Sequence, residues 1–279
     1  MNHTLLNKDN TMNLSVLISC MHQKDASIIE RSNIQTDVVI VNQCNEDKIE
    51  DFTFTNKFGK ECHAHMIYTT ERGLSKSRNL AIANAKTDIC LICDDDEIFV
   101  DNYEEIILNA YAENKNASVI TFKFNVTTST YVNKTFWTEG KEIGYLSALK
   151  ISSQQISFRR EAINQNNIRF DVEIGSGASK AGGEEKIFLH NCLEKGLNIR
   201  YVPQCIVNVS YGDSQWAHYI YSKDYFVDFG YYVRRLHGRK FFAVPLCAFF
   251  AVKKYSHYKN NFSFMTCLKL LYKGIFIKK

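Results

Sequence analysis

Leu14-Ser-Val-Leu-Ile-Ser-Cys20 and Asp37-Val-Val-Ile-Val-Asn42 are short β-branched apolar runs, and the stretch between them carries a helical pattern over Ala26 to Arg31. Strand, helix and strand in that order begin a β-α-β unit. A third run, His63 to Thr69, leads through Gly73 into a helix over Leu74 to Lys86 whose Leu74, Ala81, Ile82 and Ala85 share one face. A fourth strand, Asp88 to Cys93, stops at Asp94-Asp95-Asp96-Glu97, and helical periodicity resumes over Tyr103 to Tyr111. After a strand over Ser118 to Val126 the pattern loosens into a stretch rich in Thr, Ser and Asn up to about Gly144, either an acceptor-side loop or a plain surface connection. Ile156 to Arg159 reads as a strand, the segment from Phe170 through Gly183 contains four glycines, Glu184-Glu185 opens a helix to Leu193, and Ile199 to Val202 returns to the sheet. From Trp216 onward the pattern is helical. Alternation of this kind predicts an α/β fold with a mostly parallel sheet, helices on both faces, and ligands at the carboxyl ends of the strands.

Composition sharpens that outline. A chain of 279 residues with 45% hydrophobic and 23% charged positions can bury a full core, which excludes a disulfide-stapled miniprotein and wholesale disorder. Phe229 to Lys279 holds eleven Lys or Arg and no Asp or Glu, so with a whole-chain charge of +4 the remainder carries −7. An acidic body thus ends in a basic, aromatic tail suited to an anionic surface. The chain divides into an N-terminal extension (1–12), a catalytic α/β unit (13–211) and a basic helical region (212–279), with the boundary near Tyr211. Nine cysteines, an odd number at irregular spacing, and an N-terminus too polar for a secretory core predict a reducing cytoplasm. Cys90 and Cys93 form a CxxC inside an apolar run, where a strand sends them to opposite faces; packing explains them better than redox or zinc chemistry. The longest apolar stretch, Phe241 to Val252, is shorter than the roughly 20 residues of a spanning helix, so membrane contact is expected to be peripheral.

Three features point to chemistry. Consecutive acids after a buried strand repel one another, and a hard divalent cation such as Mg²⁺ or Mn²⁺ relieves the conflict while sharing its other positions with phosphate oxygens. Continued strand geometry would put Asp94 and Asp96 on one side and turn Asp95 away; a solvated acidic turn with a helix N-cap is the plainer alternative. Arg78 lies on the apolar face of its helix and needs an anionic partner, either those carboxylates or a bound diphosphate, unless it serves an ordinary buried ion pair. Glu185 shares its helix face with Phe188, Leu189 and Cys192, where desolvation would raise its pKa and suit it to accept a proton. Glu184 is rotated away, as expected of a charge that only favours the helix N-terminus.

Taken together, Leu14-Ser-Val-Leu-Ile-Ser19, Glu71-Arg-Gly-Leu-Ser-Lys-Ser-Arg-Asn79, Asp94-Asp95-Asp96, Gly175-Ser-Gly177 and Gly183-Glu-Glu-Lys-Ile-Phe-Leu189 resemble the family 2 glycosyltransferases of the GT-A fold, especially the bacterial enzymes of capsular or O-antigen polysaccharide. The resemblance spans roughly Asn13 to Val209. It implies that Asp94 and Asp96, a DXD motif, hold Mn²⁺ or Mg²⁺ on the diphosphate of a nucleotide sugar, and that Arg78, Asn79 and Asp95 belong to the donor site. It also implies an inverting transfer to a glycan or polyprenyl-linked acceptor, with Glu185 as base and Glu184 in reserve. Many members end the second strand in an Asp-Asp-Gly-Ser-like motif; here Asn42-Gln43-Cys44 stands in its place, and Asn42 is the candidate partner of the base or ribose. The basic region is expected on an anionic membrane, at the inner face of the plasma membrane. No nucleic-acid partner is expected, since no folded recognition motif accompanies the tail. A nucleotidyltransferase is disfavoured because no Gly-rich phosphate loop ending in Lys follows the first strand, and a non-catalytic nucleotide-binding scaffold is the other alternative.

Overall fold

The structure is a computed structural model that describes residues 12–127, 136–178, 182–210, 219–237 and 240–277. Most of the expected N-terminal extension, the centre of the polar stretch before Gly144, and the boundary near Tyr211 with Trp216 lie outside the described residues.

In chain order come β1 (Leu14–Met21), α1 (Ile28–Arg31), β2 (Asp37–Gln43), β3 (Lys48–Thr55), β4 (Glu61–Thr69), α2 (Leu74–Asn84), β5 (Ile89–Asp94), β6 (Glu97–Phe99) and α3 (Tyr103–Glu113). There follow β7 (Val119–Val126), β8 (Lys141–Glu142), α4 (Tyr145–Ala148), a 3-10 turn (Ser153–Gln155), β9 (Ile156–Arg159), α5 (Arg160–Gln165), α6 (Glu184–Glu194) and β10 (Ile199–Val209). Helices α7 (Lys223–His237), α8 (Lys240–Lys253), α9 (Tyr255–Tyr258) and α10 (Phe264–Phe276) complete the chain.

The strands form one sheet in the order β3-β4-β2-β1-β5-β9-β7-β10-β6, with β8 also on β10. Its heart, β4-β2-β1-β5, is parallel, as the continuous apolar runs predicted. Successive residues of β1 leave for opposite faces. Val16 and Ile18 join a core completed by Tyr103, Ile107 and Tyr111 of α3, while Leu17 packs with Ala81 and Ile82 of α2 and with Phe188 and Leu189 of α6. Cys93 belongs to the first core and Cys90 to the second, and both are free thiols. That is the packing role expected of the CxxC.

Antiparallel strands flank this heart where sequence periodicity is weak. Lys48–Thr55 pairs with β4 at the sheet edge and leaves most of its side chains in solvent. Strand β10 runs to Val209, well past the Val202 where apolar character fades; Pro203 falls where its pairing with β7 shifts register, a position that tolerates a missing N–H.

Helices α7 to α10 enclose a separate apolar core around Phe226, Cys247, Tyr258, Cys267 and Leu271. Helices α7 and α10 cross backbone to backbone at Gly230 and Gly274: a Cβ there would fall 2.1 Å from the Leu271 carbonyl oxygen and 1.9 Å from that of Val227. Of the tail aromatics, Phe250 stacks on Phe229 at 3.7 Å, whereas Phe242 and Phe249 are exposed. No helix among the described residues is long and apolar enough to cross a membrane.

Candidate active site

The carboxyl ends of β1, β2 and β5 lie side by side, with Ser19 level with Asp94 and Cys20 with Asn42. Beside them α2 places Arg78, which is fully buried. Its Nη2 donates to both oxygens of Asp94 at 2.8 and 3.0 Å, and its Nη1 donates to Glu184 Oε1 at 2.9 Å. Ser153 Oγ adds a 3.1 Å bond to Asp94. The guanidinium also lies 5.3 Å over the Phe170 ring, itself stacked on Phe188 at 4.4 Å. Burial alone would favour neutral arginine, but the charges of Asp94 and Glu184 outweigh it and raise its pKa. Arg78 is thus ion-paired with Asp94 and Glu184, which fits both the steadying role and the ordinary buried ion pair expected as its alternative.

Strand geometry does not continue through the acidic motif. Strand β5 ends at Asp94, Asp95 and Asp96 form an exposed turn, and β6 begins at Glu97. The same-side argument for Asp94 and Asp96 thus fails, and the turn caps no helix, since α3 starts only at Tyr103. Partial burial and the charges of Asp94 and Asp95 push the Asp96 carboxyl up to about 6. Glu97 turns inward, accepts the Asp94 N–H at 3.1 Å, and is pushed well above the usual range by burial and by Asp94. Sequence reasoning assigned it no role, although its place as fourth acid of the run was the available signal.

Both predicted donor-site amides prove to be braces. Asn42 accepts the Gln23 N–H at 3.0 Å and donates to the Gln23 carbonyl at 2.8 Å, fixing the loop after β1. Asn79 makes the same two-way clasp on the Phe170 backbone at 2.8 and 2.9 Å. The Gly175-Ser-Gly177 segment is stitched to the start of α2 by Leu74 N–H to Ser176 O at 2.9 Å and by Ser75 Oγ to Ile174 O at 2.6 Å. Gln43 and Ser153, which sequence reasoning missed, act likewise; Gln43 Oε1 accepts the Gly73 N–H at 2.7 Å. Nothing in their local sequence marks them.

Gly183, at φ +97°, starts α6, and a Cβ there would meet the Tyr232 ring of α7 at 2.7 Å. Glu184 and Glu185 follow, both buried. Glu184 is no simple helix-end charge, because it faces Arg78; burial and the Glu185 charge raise its pKa. Glu185 departs from expectation in the other direction. Burial would raise it, but Lys186, 2.5 Å away, outweighs burial and holds its pKa below the usual range. Lys186 thus favours the charged form of Glu185, opposite to the raised pKa expected of a desolvated base. The geometry joins Asp94, Arg78 and Glu184 in one ion-paired cluster, with Glu185 next to Glu184 and the Asp95-Asp96 turn next to Asp94.

Among solved structures the chain is similar to TarS of S. aureus, residues 1–349. With UDP-GlcNAc bound, that protein superposes with a TM-score of 0.60 at 16% identity, over 90% of this chain and 74% of the other. A second structure of the same TarS fragment gives 0.58 and its UDP complex 0.57, at the same identity and coverage. These likenesses establish the fold. No curated protein matches the sequence. Residues 25–180, more than half of the chain, match the sequence profile of glycosyl transferase family 2, and the chain belongs to that family.

Proposed function

We propose that the protein transfers a sugar from a nucleotide-diphosphate donor to an acceptor hydroxyl by a single inverting displacement, in the synthesis of a cell-surface polysaccharide. The observation that carries this reading is Arg78, whose one guanidinium binds Asp94 on the donor side and Glu184 at the start of the helix that bears Glu185. TarS, similar in fold, binds UDP-GlcNAc, which supports a nucleotide-sugar donor.

The residues present fit a divalent metal. The exposed Asp95-Asp96 turn offers hard oxygen ligands, and partial burial with the charges of Asp94 and Asp95 raises the Asp96 pKa. Among the described residues no group of three His, Cys, Asp or Glu could hold a metal ion by itself, so the site needs phosphate and water as further ligands. Asp96 is the principal ligand, because Asp94 is already bonded to Arg78. Bound there, the metal supplies charge neutralisation for the departing diphosphate. Glu185 takes the acceptor proton, Lys186 keeps it ionised beforehand, and Arg78 fixes the spacing of the two sides.

Release of free UDP or GDP from a panel of nucleotide sugars with Mn²⁺ tests the reaction, and no turnover with any of them would refute it. Asp96→Asn is expected to abolish the Mn²⁺ dependence of nucleotide binding while leaving the fold intact. In the parent protein that dependence should fade as pH falls through about 6, where Asp96 gains its proton. Calorimetric titration at pH 5 and pH 7.5 reads both effects.

The basic helical region is proposed to bind an anionic membrane, at the inner face of the plasma membrane. Phe242, Leu246, Phe249 and Val252 form an exposed apolar stripe on α8, at helical spacing. Each engaged Lys or Arg adds about 1 kcal/mol near such a surface, screened by salt. Co-sedimentation with phosphatidylglycerol vesicles at low salt, lost at 1 M salt, is the expected result; absence of binding would remove the membrane from this reading.

A further inference from the structure

Ile174 and Gly175 lie between the ion-paired cluster and α7. The Ile174 carbonyl accepts from Ser75 Oγ at 2.6 Å, and a Cβ on Gly175 would fall 3.2 Å from that Oγ and 3.4 Å from Cγ and Cδ of Glu184. This backbone therefore packs against the carboxylate that holds Arg78. Phe170 to Ala178 forms neither helix nor extended strand, so side chains must fix it in place. Asn79 clasps the Phe170 end. Asp171 divides its carboxylate: Oδ1 accepts the Glu173 N–H at 3.1 Å and closes the turn, whereas Oδ2 accepts from Nε of Arg235 on α7 and pairs with its Nη2. One turn earlier on α7, the Tyr231 hydroxyl donates to Glu173. Ile174 is fully buried in a cluster with Ile187, Tyr231 and Leu236. The same helix sets Tyr232 against Gly183 and borders, with α8 and Leu149, a groove of about 480 Å³.

The Asp171 side chain is only 7% exposed, so it needs a cation, and the one it takes comes from 64 residues further along the chain. We infer that Arg235 and Tyr231 are positioning residues for sugar transfer: by holding Asp171 and Glu173 they set the Ile174-Gly175 backbone against Glu184, and through Glu184 the guanidinium of Arg78 that also binds Asp94. Without them the turn keeps its internal bond from Glu173 to Asp171 but loses its anchor on α7. Glu184 then gains room to leave Nη1 of Arg78. A misplacement of about 1 Å in such a framework can cost about 10²-fold in rate. This deepens the glycosyl-transfer reading and rests on it for the effect on rate, whereas the mechanical link to Glu184 does not depend on it. Arg235 is thereby withdrawn from the cationic surface of the helical region and serves the catalytic unit instead.

A double-mutant cycle between α7 and Glu184, read by urea denaturation of the full chain, tests the link with no substrate present. The factor by which Glu184→Gln lowers the folding equilibrium constant should be at least about threefold smaller in an Arg235→Gln background than in the parent, beyond the scatter of independent sites. Tyr231→Phe, which removes one oxygen, gives the same comparison where Arg235→Gln does not fold. Arg234→Gln is the control: it lies on the same helix but donates to the carbonyls of Ile275 and Ile277, so in its background the factor should match the parent's. Factors that agree within about threefold in every folded background would show a merely structural contact and overturn the inference. In nucleotide release from a sugar donor that the parent turns over, Arg235→Gln should lower kcat about tenfold or more while donor KM stays within about threefold. Arg235→Lys should restore most of the rate, because both guanidinium contacts fall on the single oxygen Oδ2. An unchanged kcat in Arg235→Gln would overturn the inference as well. A parent that turns over no nucleotide sugar refutes the glycosyl-transfer reading and leaves the cycle to decide the link.

Discussion

Glu185→Gln should keep nucleotide-sugar affinity within about threefold and slow transfer by about 10² to 10⁴. The amide is nearly isosteric, and the Asp95-Asp96 turn lies on another element, so donor binding has no reason to change. Transfer collapses because an amide cannot take the hydroxyl proton. Glu184→Gln separates the two neighbours. Its carboxylate holds Arg78, so its loss should lower thermal stability before it alters chemistry. Rates under saturating donor, with affinity measured separately, read the contrast. A normal rate in Glu185→Gln beside a folded but inactive Glu184→Gln would move the base by one residue.

Arg78→Met should cost about 3 to 5 kcal/mol of folding stability, because it strands two carboxylates that share a buried cation. Removing only one partner from a buried pair is costly in itself, and here the missing partner is common to both. For a chain of this size a loss of that order lowers the melting temperature by about 6 to 20 °C. Arg78→Lys should rescue little, since one ammonium cannot reproduce the forked contacts to Asp94 and Glu184. Urea denaturation of the three proteins is the measurement; a Met variant as stable as the parent would show the bridge to be dispensable.

The parallel heart of the sheet was legible because strands buried on both faces write themselves as continuous apolar runs, as in Leu14–Cys20 and Asp37–Asn42. Lys48–Thr55 was not, since an edge strand facing solvent leaves no such run. Site residues followed the same division. Arg78 and the acidic run stood out because charge among apolar neighbours demands an explanation. The roles of Asn42 and Asn79 did not, because their partners are backbone groups at Gln23 and Phe170, which carry no residue-type signal. The reversal at Glu185 came from its own neighbour Lys186, whose ammonium folds back onto it, a side-chain choice that helical spacing does not specify.

The crossing at Gly230 and Gly274 has an evolutionary consequence. In the proposed reading donor chemistry is written in the first two thirds of the chain, whereas α7 and α8 supply most of the groove's lining. A lineage can therefore rewrite the groove's walls while leaving Arg78 and its carboxylates unchanged. The two glycines bound that freedom: any side chain at the crossing would shift α7, carry Tyr232 off Gly183, and pass the disturbance to the first turn of α6. Diversification is open along the groove's walls and closed at its hinge pin.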